Sequence, residues 1–333
     1  MTKLLIIRFS ALGDVAIAVP IVRALAEQYP SLDITMLSRC NYEPLFHDMP
    51  VNVHFYGADL KHKHYGREGL DLLLKEIDFT SYDKVADLHG VLRSDYISFR
   101  MRLHGILIRR IHKNKLARLW LCSRLNHRKK PLILMSEHYL RVFSRLGYPI
   151  SLPSLWNSRY CTPPSDKQHI GIAPFAAHTG KIYPLSKMEQ VVALLGDIMA
   201  KRGEEVLLFG AGPAEKATLE LWAKKYNGVT SMVGKYPLDE DIRQMATLRL
   251  MLTMDSGNMH LAALAGTRCL SIWGATDVRM GFRAYGQKDE DLICRDLPCR
   301  PCSTYGNVPC RYGDYRCLEI EPKEIVERIL SAL

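Results

Sequence analysis

The sequence predicts an α/β protein of two domains, each built around a parallel sheet. Short apolar runs end in polar, glycine-containing turns that lead into helices, most clearly after Lys3–Phe9 and after Arg249–Met254. Such runs are typical of strands buried in parallel sheets. The length of 333 residues suits two domains with a core each. An irregular stretch rich in Pro and Ser at 147–164 marks the predicted boundary between them.

The first half of the chain predicts one series of strands and helices. In order, the predicted elements are the strand Lys3–Phe9, the helix Val15–Gln28, the strand Asp33–Ser38, a helix around Leu70–Ile77, the strands Lys84–Leu88 and Ile106–Arg110, and the helix Met135–Leu146. Residues 1–155 are therefore predicted to form the first domain.

The second half of the chain repeats this alternation. Its predicted elements are the strand Ile170–Ala173, a helix from Ser186, the strands Glu205–Phe209 and Ser231–Gly234, the helix Asp239–Thr247, the strand Arg249–Met254, the helix Met259–Ala265 and the strand Cys269–Trp273. Residues 165–318 are predicted to form the second domain. The remaining segment, 319–333, is an amphipathic helix that can pack back onto the first domain.

Composition indicates an ordinary globular protein, with 47% hydrophobic and 24% charged residues. The apolar run Leu4–Ile7 is too short for a signal-peptide core, and no run approaches the roughly 20 residues of a membrane-spanning helix. The nine cysteines do not form the pattern of a secreted disulfide framework. We therefore expect a cytoplasmic protein without a transmembrane segment.

The net charge of +10 comes from one segment. No acidic residue lies between Asp95 and Glu137, whereas this segment holds 11 Lys and Arg residues interleaved with Leu, Ile and Trp120. Nucleic acid, an acidic membrane surface and a phosphorylated glycolipid are the candidate partners. Because no nucleic-acid recognition motif accompanies the charge, we expect no nucleic-acid partner.

Two turns in the first half place polar groups at the carboxyl ends of predicted strands, where ligands bind in open α/β sheets. The turn Ser10–Asp14 contains Gly13, which suits a tight turn, and Asp14, which either caps the following helix or acts as a general base. His89 and Arg93 follow the strand that ends near Asp87. They are candidates for binding an anionic acceptor, the alternative being a solvated helix start.

The turn Asp255–Asn258 is the main candidate ligand-binding site of the second half. The first N–H groups of a helix have no backbone partner and attract anions, and Gly257 allows a ligand to approach the backbone closely. His260 can donate to a phosphate, and Asp255 suits the hydroxyls of a sugar. The alternative is that Ser256 only caps the helix and His260 is packed in the core.

Two further features of the second half can contribute to a nucleotide site. Lys181 follows a strand's carboxyl end, where its ammonium can neutralise a phosphate. The turn Gly210–Glu215 has Glu215 where a third glycine of an NAD fingerprint belongs, so NAD is not predicted, but a turn at Gly212 can still bind one nucleotide.

A cysteine cluster lies late in the chain. Its spacing, C-x2-C-x7-C-x6-C, matches no familiar zinc ribbon, so a structural zinc site and a loop of reduced thiols both remain open. The four residues are Cys299, Cys302, Cys310 and Cys317.

Together the two strand-turn-helix motifs resemble glycosyltransferase family 9, the ADP-heptose:lipopolysaccharide heptosyltransferases. One motif is Leu5–Val15 with Pro20 and Arg23–Leu25, and the other is Asp255–Ala263 continuing through Trp273–Asp277. Asp87–Ser94, Lys181–Pro184 and Gly210–Glu215 fall between them in the expected order, so the resemblance covers nearly the whole chain.

The resemblance implies a GT-B fold, in which two Rossmann-like domains face each other across a cleft, and a metal-independent, inverting transfer of a heptose or related sugar. The donor is an ADP-sugar. The acceptor is the anionic lipopolysaccharide inner core, or lipid A–Kdo, at the inner membrane surface, where the enzyme can be peripheral. No cofactor is then required for catalysis.

The resemblance also assigns roles to individual residues. Asp14 is the catalytic base, and the acceptor side comprises Ser10, Gly13, His89 and Arg93. The donor side comprises Lys181, Gly212, Glu215, Asp255, Ser256, Gly257 and His260. Ala176 and Ala177 stand where family members often carry hydroxyl residues, which is a departure from the family pattern.

The sequence leaves two alternatives open. One is another nucleotide-sugar enzyme, such as an epimerase. The other is a non-catalytic protein of the same fold that binds lipid A or nucleic acid.

Overall fold

The computed structural model describes residues 1–153 and 168–333 and contains two parallel β-sheets with flanking helices. The strands are β1 Thr2–Ile7, β2 Leu32–Arg39, β3 Val53–Ala58, β4 Lys84–Asp87, β5 Leu107–Arg110, β6 Gln168–Ala173, β7 Val206–Leu208, β8 Val229–Ser231, β9 Leu248–Met254, β10 Arg268–Trp273 and β11 Leu292–Cys294. The helices are α1 Leu12–Gln28, α2 Gly66–Glu76, α3 Leu92–Arg102, α4 Lys115–Cys122, α5 Met135–Arg145, α6 Leu185–Ala200, α7 Pro213–Lys225, α8 Leu238–Ala246, α9 Gly257–Leu264 and α10 Pro322–Ala332.

The first sheet has the order β3-β2-β1-β4-β5, and its paired strands are parallel. Its central strand β1 is buried from Leu4 to Ile7, which explains the uninterrupted apolar run in the sequence. Because all strands point the same way, the loops after β1, β2, β4 and β5 lie along one edge of this sheet.

The second sheet has the order β11-β10-β9-β6-β7-β8, again with parallel pairs. Its core contains the apolar residues of β6, β9 and β10 together with inward-facing residues of α6. The carboxyl edge of this sheet carries the loops after β6, β7, β9 and β10. Both sheets therefore have the Rossmann-like arrangement that the sequence predicts.

One predicted strand is displaced in the structure. The strand predicted at Ser231–Gly234 lies earlier, at Val229–Ser231, and the chain turns at Gly234, where φ is +69°. The predicted boundary stretch 147–164 lies outside the described residues from position 154 onward.

Contacts divide the described residues into two compact units, 1–114 with 133–153 and 115–132 with 168–333. The segment 115–132, predicted within the first domain, thus belongs to the second unit. The terminal helix α10 also packs in the second unit, where Ile325, Val326 and Ile329 join its core. Within the described ranges, none of the helices is both long and apolar enough to cross a membrane.

Candidate functional site

An ion pair joins the end of β1 to the start of α1. The guanidinium of Arg8 is buried, pairs with the Asp14 carboxylate and donates to the carbonyl of Leu88 at 2.7 Å. The N-cap of α1 is Ala11, and no side chain caps the helix. Asp14 therefore pairs with Arg8 instead of capping the helix, and its side chain remains 22% exposed. Gly13 lies inside α1 and not in the turn that precedes it.

Buried Asp87 organises the loop after β4. Its carboxylate accepts hydrogen bonds from the backbone N–H groups of His89 and Gly90, both at 2.9 Å, and from the hydroxyl of Ser94 at 3.0 Å. These bonds fix the position of the His89 ring, whose Nε2 lies 3.5 Å from the Ser10 hydroxyl. His89 is buried, whereas Arg93 is exposed. The predicted alternative of a solvated helix start therefore does not describe His89.

Positive charge gathers around His89. Burial, reinforced by nearby cations, lowers the pKa of His89 to about 3, so the ring is neutral at pH 7. Of the contributing cations, the sequence indicated Arg93 but not the other three, although all three lie at or just after strand ends. They are Arg8, Arg39 and Lys113.

A second ion pair joins two loops at the carboxyl edge of the second sheet. Lys181, in the loop after β6, places Nζ 2.8 Å from Oδ2 of Asp255, which directly follows β9. The hydroxyl of Thr276 donates to the same Oδ2 at 2.7 Å. Lys181 is 16% exposed and Asp255 is 6% exposed, so the ammonium is not a freely solvated surface group.

The N-terminus of α9 follows Asp255. Ser256 occupies the N-cap position, but its side chain makes no capping bond, and its buried Oγ has no hydrogen-bond partner within the described residues. Gly257 is the first residue of the helix, and His260, in its first turn, is buried. The structure therefore does not show Ser256 as a simple helix cap.

The glycine-rich turn after β7 is closed by its own glutamate. Oε2 of Glu215 accepts a hydrogen bond from the backbone N–H of Ala211 at 2.7 Å. Gly212 has a φ of +82°, a conformation that glycine adopts without strain, and Pro213 begins α7. Both predicted donor residues, Gly212 and Glu215, thus lie at the same sheet edge as Lys181.

The cysteine cluster does not form a metal site in this structure. In the described part of the chain, no group of three or more His, Cys, Asp or Glu side chains is arranged to hold a metal ion. Burial raises the pKa of the Cys317 thiol to about 11, and the thiol of Cys302 lies 3.4 Å from the carbonyl of Cys299. Cys310 instead contacts Asp314. The predicted set of four zinc ligands is therefore not assembled here.

Replacing Gly274 by Ala is expected to lower the midpoint of thermal unfolding. An added Cβ would lie 2.4 Å from the carbonyl oxygen of Gly180, which accepts the 2.7 Å hydrogen bond of the Ala275 N–H. Overpacking of this kind costs about 1–3 kcal/mol. It should also displace the neighbouring Lys181.

Scanning calorimetry of the Gly274→Ala variant and the unchanged protein tests the prediction. A Gly274→Ala protein as stable as the unchanged protein would contradict it.

Two Rossmann-like units of this kind are the components of the GT-B class of glycosyltransferase folds. The model of glycosyltransferase family 9 (heptosyltransferase) matches residues 72–312, well over half of the chain. The chain therefore belongs to glycosyltransferase family 9, as the sequence motifs predicted.

Curated relatives carry heptosyltransferase names. Lipooligosaccharide heptosyltransferase 2 of Campylobacter jejuni subsp. jejuni is 24% identical over 137 residues, which are 40% of this chain and 42% of that protein's length. Lipopolysaccharide heptosyltransferase 1 of Campylobacter coli is 25% identical over 306 residues, covering 82% of this chain and 84% of that one.

Among solved structures, E. coli ADP-heptose lipopolysaccharide heptosyltransferase II is similar over 100% of this chain and 98% of its own, with a TM-score of 0.67 and 19% identity. At this identity the likeness concerns the fold, and it confirms the predicted GT-B class.

Proposed function

We propose that this chain is an inverting glycosyltransferase that moves a heptose from ADP-heptose to the lipopolysaccharide inner core or to lipid A–Kdo. Membership in family 9 supports sugar transfer, and the names of the relatives support heptose as the sugar. The observation that carries the proposal is the Lys181–Asp255 pair directly before the α9 N-terminus, because it supplies a cation and backbone donors at one sheet edge.

The donor is proposed to bind at the carboxyl edge of the second sheet. The N–H groups at Gly257 suit the diphosphate, as does the unpartnered hydroxyl of Ser256. The Lys181 ammonium adds the charge that balances the departing diphosphate, and His260 lies in the same turn. The buried carboxylate of Asp255 orients Lys181 and can accept from sugar hydroxyls.

Gly212 and Glu215 are proposed to lie beside the nucleoside. Their turn follows β7, two strands away from β9 in the sheet order, and opens on the same carboxyl edge. Fixed dipoles and cations of this kind stabilise a leaving group without a metal ion. We therefore propose that transfer is metal-independent and continues in the presence of a chelator.

Asp14 is proposed as the general base. It takes the proton from the attacking acceptor hydroxyl while that oxygen forms a bond to the anomeric carbon. The bond from that carbon to the diphosphate breaks, and ADP leaves with the electron pair. Attack from the face opposite the diphosphate inverts the anomeric configuration. The buried guanidinium of Arg8 keeps the carboxylate oriented before the acceptor arrives.

The acceptor is proposed to bind at the carboxyl edge of the first sheet. Arg8, Arg39, Arg93 and Lys113 make this edge positive around the neutral ring of His89. Ser10 lies in the adjoining turn, and Gly13 lies in the first turn of α1. Positive charge of this kind attracts phosphate or carboxylate groups of an anionic core oligosaccharide. Because such an acceptor is lipid-linked, we propose that the protein works in the cytoplasm at the inner membrane surface.

The proposal is tested by incubating the purified protein with ADP-heptose, labelled in the sugar, and a lipid A–Kdo acceptor. We expect label on the acceptor, stoichiometric ADP release, and unchanged rates in EDTA. In thermal-shift measurements, ADP should stabilise the protein more than UDP or GDP. Label confined to an altered nucleotide sugar would indicate an epimerase, and binding without turnover would indicate a non-catalytic protein. Either result would overturn the proposal.

A further inference from the structure

A solvent-exposed apolar stripe lies on α4 and continues into the turn that follows. Leu116 is 82% exposed, Leu119 65% and Trp120 55%, and Leu125 beyond the helix is 75% exposed. The positions i, i+3 and i+4 put the three helical residues on one face. The opposite face of α4 is buried through Arg118 and Leu121, so the exposed stripe is not the core side of the helix.

Basic side chains border this stripe. The exposed cations are Lys115, Arg124, Arg128 and Lys130, and no Asp or Glu occurs anywhere between Asp95 and Glu137. These four cations and the four apolar residues Leu116, Leu119, Trp120 and Leu125 form what we call the α4 surface. It combines exposed hydrocarbon with positive charge and contains no acidic residue.

The two remaining cations of segment 115–132, Arg118 and Lys129, point inward and hold this segment in place. The Arg118 guanidinium lies 4.6 Å from the centre of the Phe282 ring. Nζ of Lys129 donates to the carbonyls of Pro298, at 2.8 Å, and Arg300. The segment is therefore anchored on the second unit by cations whose charge does not contribute to the exposed surface.

The turn after α4 has a defined conformation. Nδ2 of Asn126 donates to the Trp120 carbonyl at 3.1 Å, and its Oδ1 accepts from the Lys129 N–H at 3.0 Å. These bonds close a groove of about 520 Å³ between α4 and the following chain. Its apolar lining includes Trp120, Leu121, Leu125 and Leu132. The exposed side chains are thus presented by an ordered scaffold.

We propose that the α4 surface docks the protein on an anionic lipid bilayer. Leucine and tryptophan side chains gain free energy by entering the headgroup and acyl boundary, and Lys and Arg beside them attract anionic headgroups. Nucleic acid would satisfy the cations but not the three exposed leucines, because single-stranded sites rely on stacking aromatic rings. Charge and hydrocarbon together favour a membrane. The inference rests on the proposed function in one respect, namely that the acceptor is lipid-linked.

The test measures binding to vesicles that contain no saccharide acceptor, so that it is independent of sugar transfer. The full-length protein is floated with vesicles of phosphatidylcholine alone or with about one-third phosphatidylglycerol. We expect binding to the anionic vesicles, weaker binding at high salt, and a blue shift of tryptophan emission. Trp222 and Trp273 are buried, and Trp156 lies outside the described residues. Measured in a Trp156→Phe background, Trp120→Phe should therefore remove most of the shift while preserving binding.

Two variants separate the charge from the hydrocarbon. Neutralising the four cations should weaken binding by roughly several hundredfold, since each basic residue near an anionic surface contributes roughly fivefold. Removing the exposed leucines should also weaken binding and abolish the blue shift. The charge variant carries Lys115→Gln, Arg124→Gln, Arg128→Gln and Lys130→Gln, and the apolar variant carries Leu116→Gln, Leu119→Gln and Leu125→Gln.

A matched control changes exposed residues elsewhere in the second unit. It carries Leu221→Gln, Lys201→Gln and Lys224→Gln, and it should bind vesicles like the unchanged protein. Unfolding midpoints of all variants should agree, because every changed side chain is exposed.

The outcomes distinguish docking from catalysis. Failure of the unchanged protein to bind anionic vesicles, or equal binding by the charge variant, would overturn the docking surface. Binding to single-stranded RNA in place of vesicles would also overturn it. None of these results would affect transfer to a delipidated acceptor. Vesicle binding by a protein that transfers no sugar would retain the docking surface and overturn the proposed function.

Discussion

Replacement of Asp14 by Asn is expected to lower kcat by about 10²–10⁴, because a positioned carboxylate base contributes a factor of this size. Asparagine has nearly the same shape and can still accept a hydrogen bond from Arg8, so the fold should persist. Donor binding should change little, since the proposed donor residues all belong to the second unit. Single-turnover rates and the thermal shift caused by ADP measure the two effects separately.

The control for this experiment is Asp71→Asn. Asp71 also pairs with an arginine, Arg100, and its side chain is 31% exposed, compared with 22% for Asp14, but it lies on α2. Losing the charge of an arginine-paired carboxylate of similar exposure there should leave kcat unchanged. If Asp14→Asn retained near-normal kcat, the Arg8–Asp14 pair would be structural and the base would have to be another group.

The sequence predicts the sheet edges well because strand, turn and helix follow one another locally. An apolar run ending in a Gly-containing turn identifies the loops after β1 and β9 without knowledge of distant contacts. It also correctly places Asp14, Lys181 and Asp255 at strand ends. The ion pair between Lys181 and Asp255 could not be predicted in this way, because it joins residues that are far apart in the chain.

The placement of segment 115–132 and the burial of His89, which the sequence did not reveal, depend on hydrogen bonds to backbone groups. Segment 115–132 belongs to the second unit because Lys129 donates to the carbonyls of Pro298 and Arg300, and any residue type can supply a carbonyl. The burial of His89 likewise depends on how Asp87 folds the loop after β4. Cysteine spacing left the zinc site open for a related reason, since it does not determine whether four thiols converge.

Replacement of Lys181 by Met is expected to lower kcat/KM for ADP-heptose by about 10²–10³, the range seen when one donor to a developing anion is removed. Charge builds on the diphosphate as the sugar leaves, and the Lys181 ammonium is already oriented by Asp255 at 2.8 Å. Lys181→Arg keeps the charge and should retain part of the rate. The measurement is initial-rate kinetics with varied donor at saturating acceptor.

Lys187→Met is the matched control, because Nζ of Lys187 also lies 2.8 Å from a carboxylate, that of Glu319, and its side chain is 22% exposed. This variant should keep normal kcat/KM. If Lys181→Met lowered the unfolding midpoint but left the rate of the folded protein intact, the lysine would only tie the loop after β6 to β9.

The double variant Lys181→Met with Asp255→Asn gives the sharper result. If Asp255 acts on the rate mainly by orienting Lys181, its removal should cost little once the lysine is gone, and the two effects will not add. Additive losses would mean that the carboxylate contacts the donor independently, through sugar hydroxyls. In that case Thr276 should become important for donor binding in the single variant Lys181→Met. Its hydroxyl donates to the same Oδ2 at 2.7 Å and would still orient the carboxylate there.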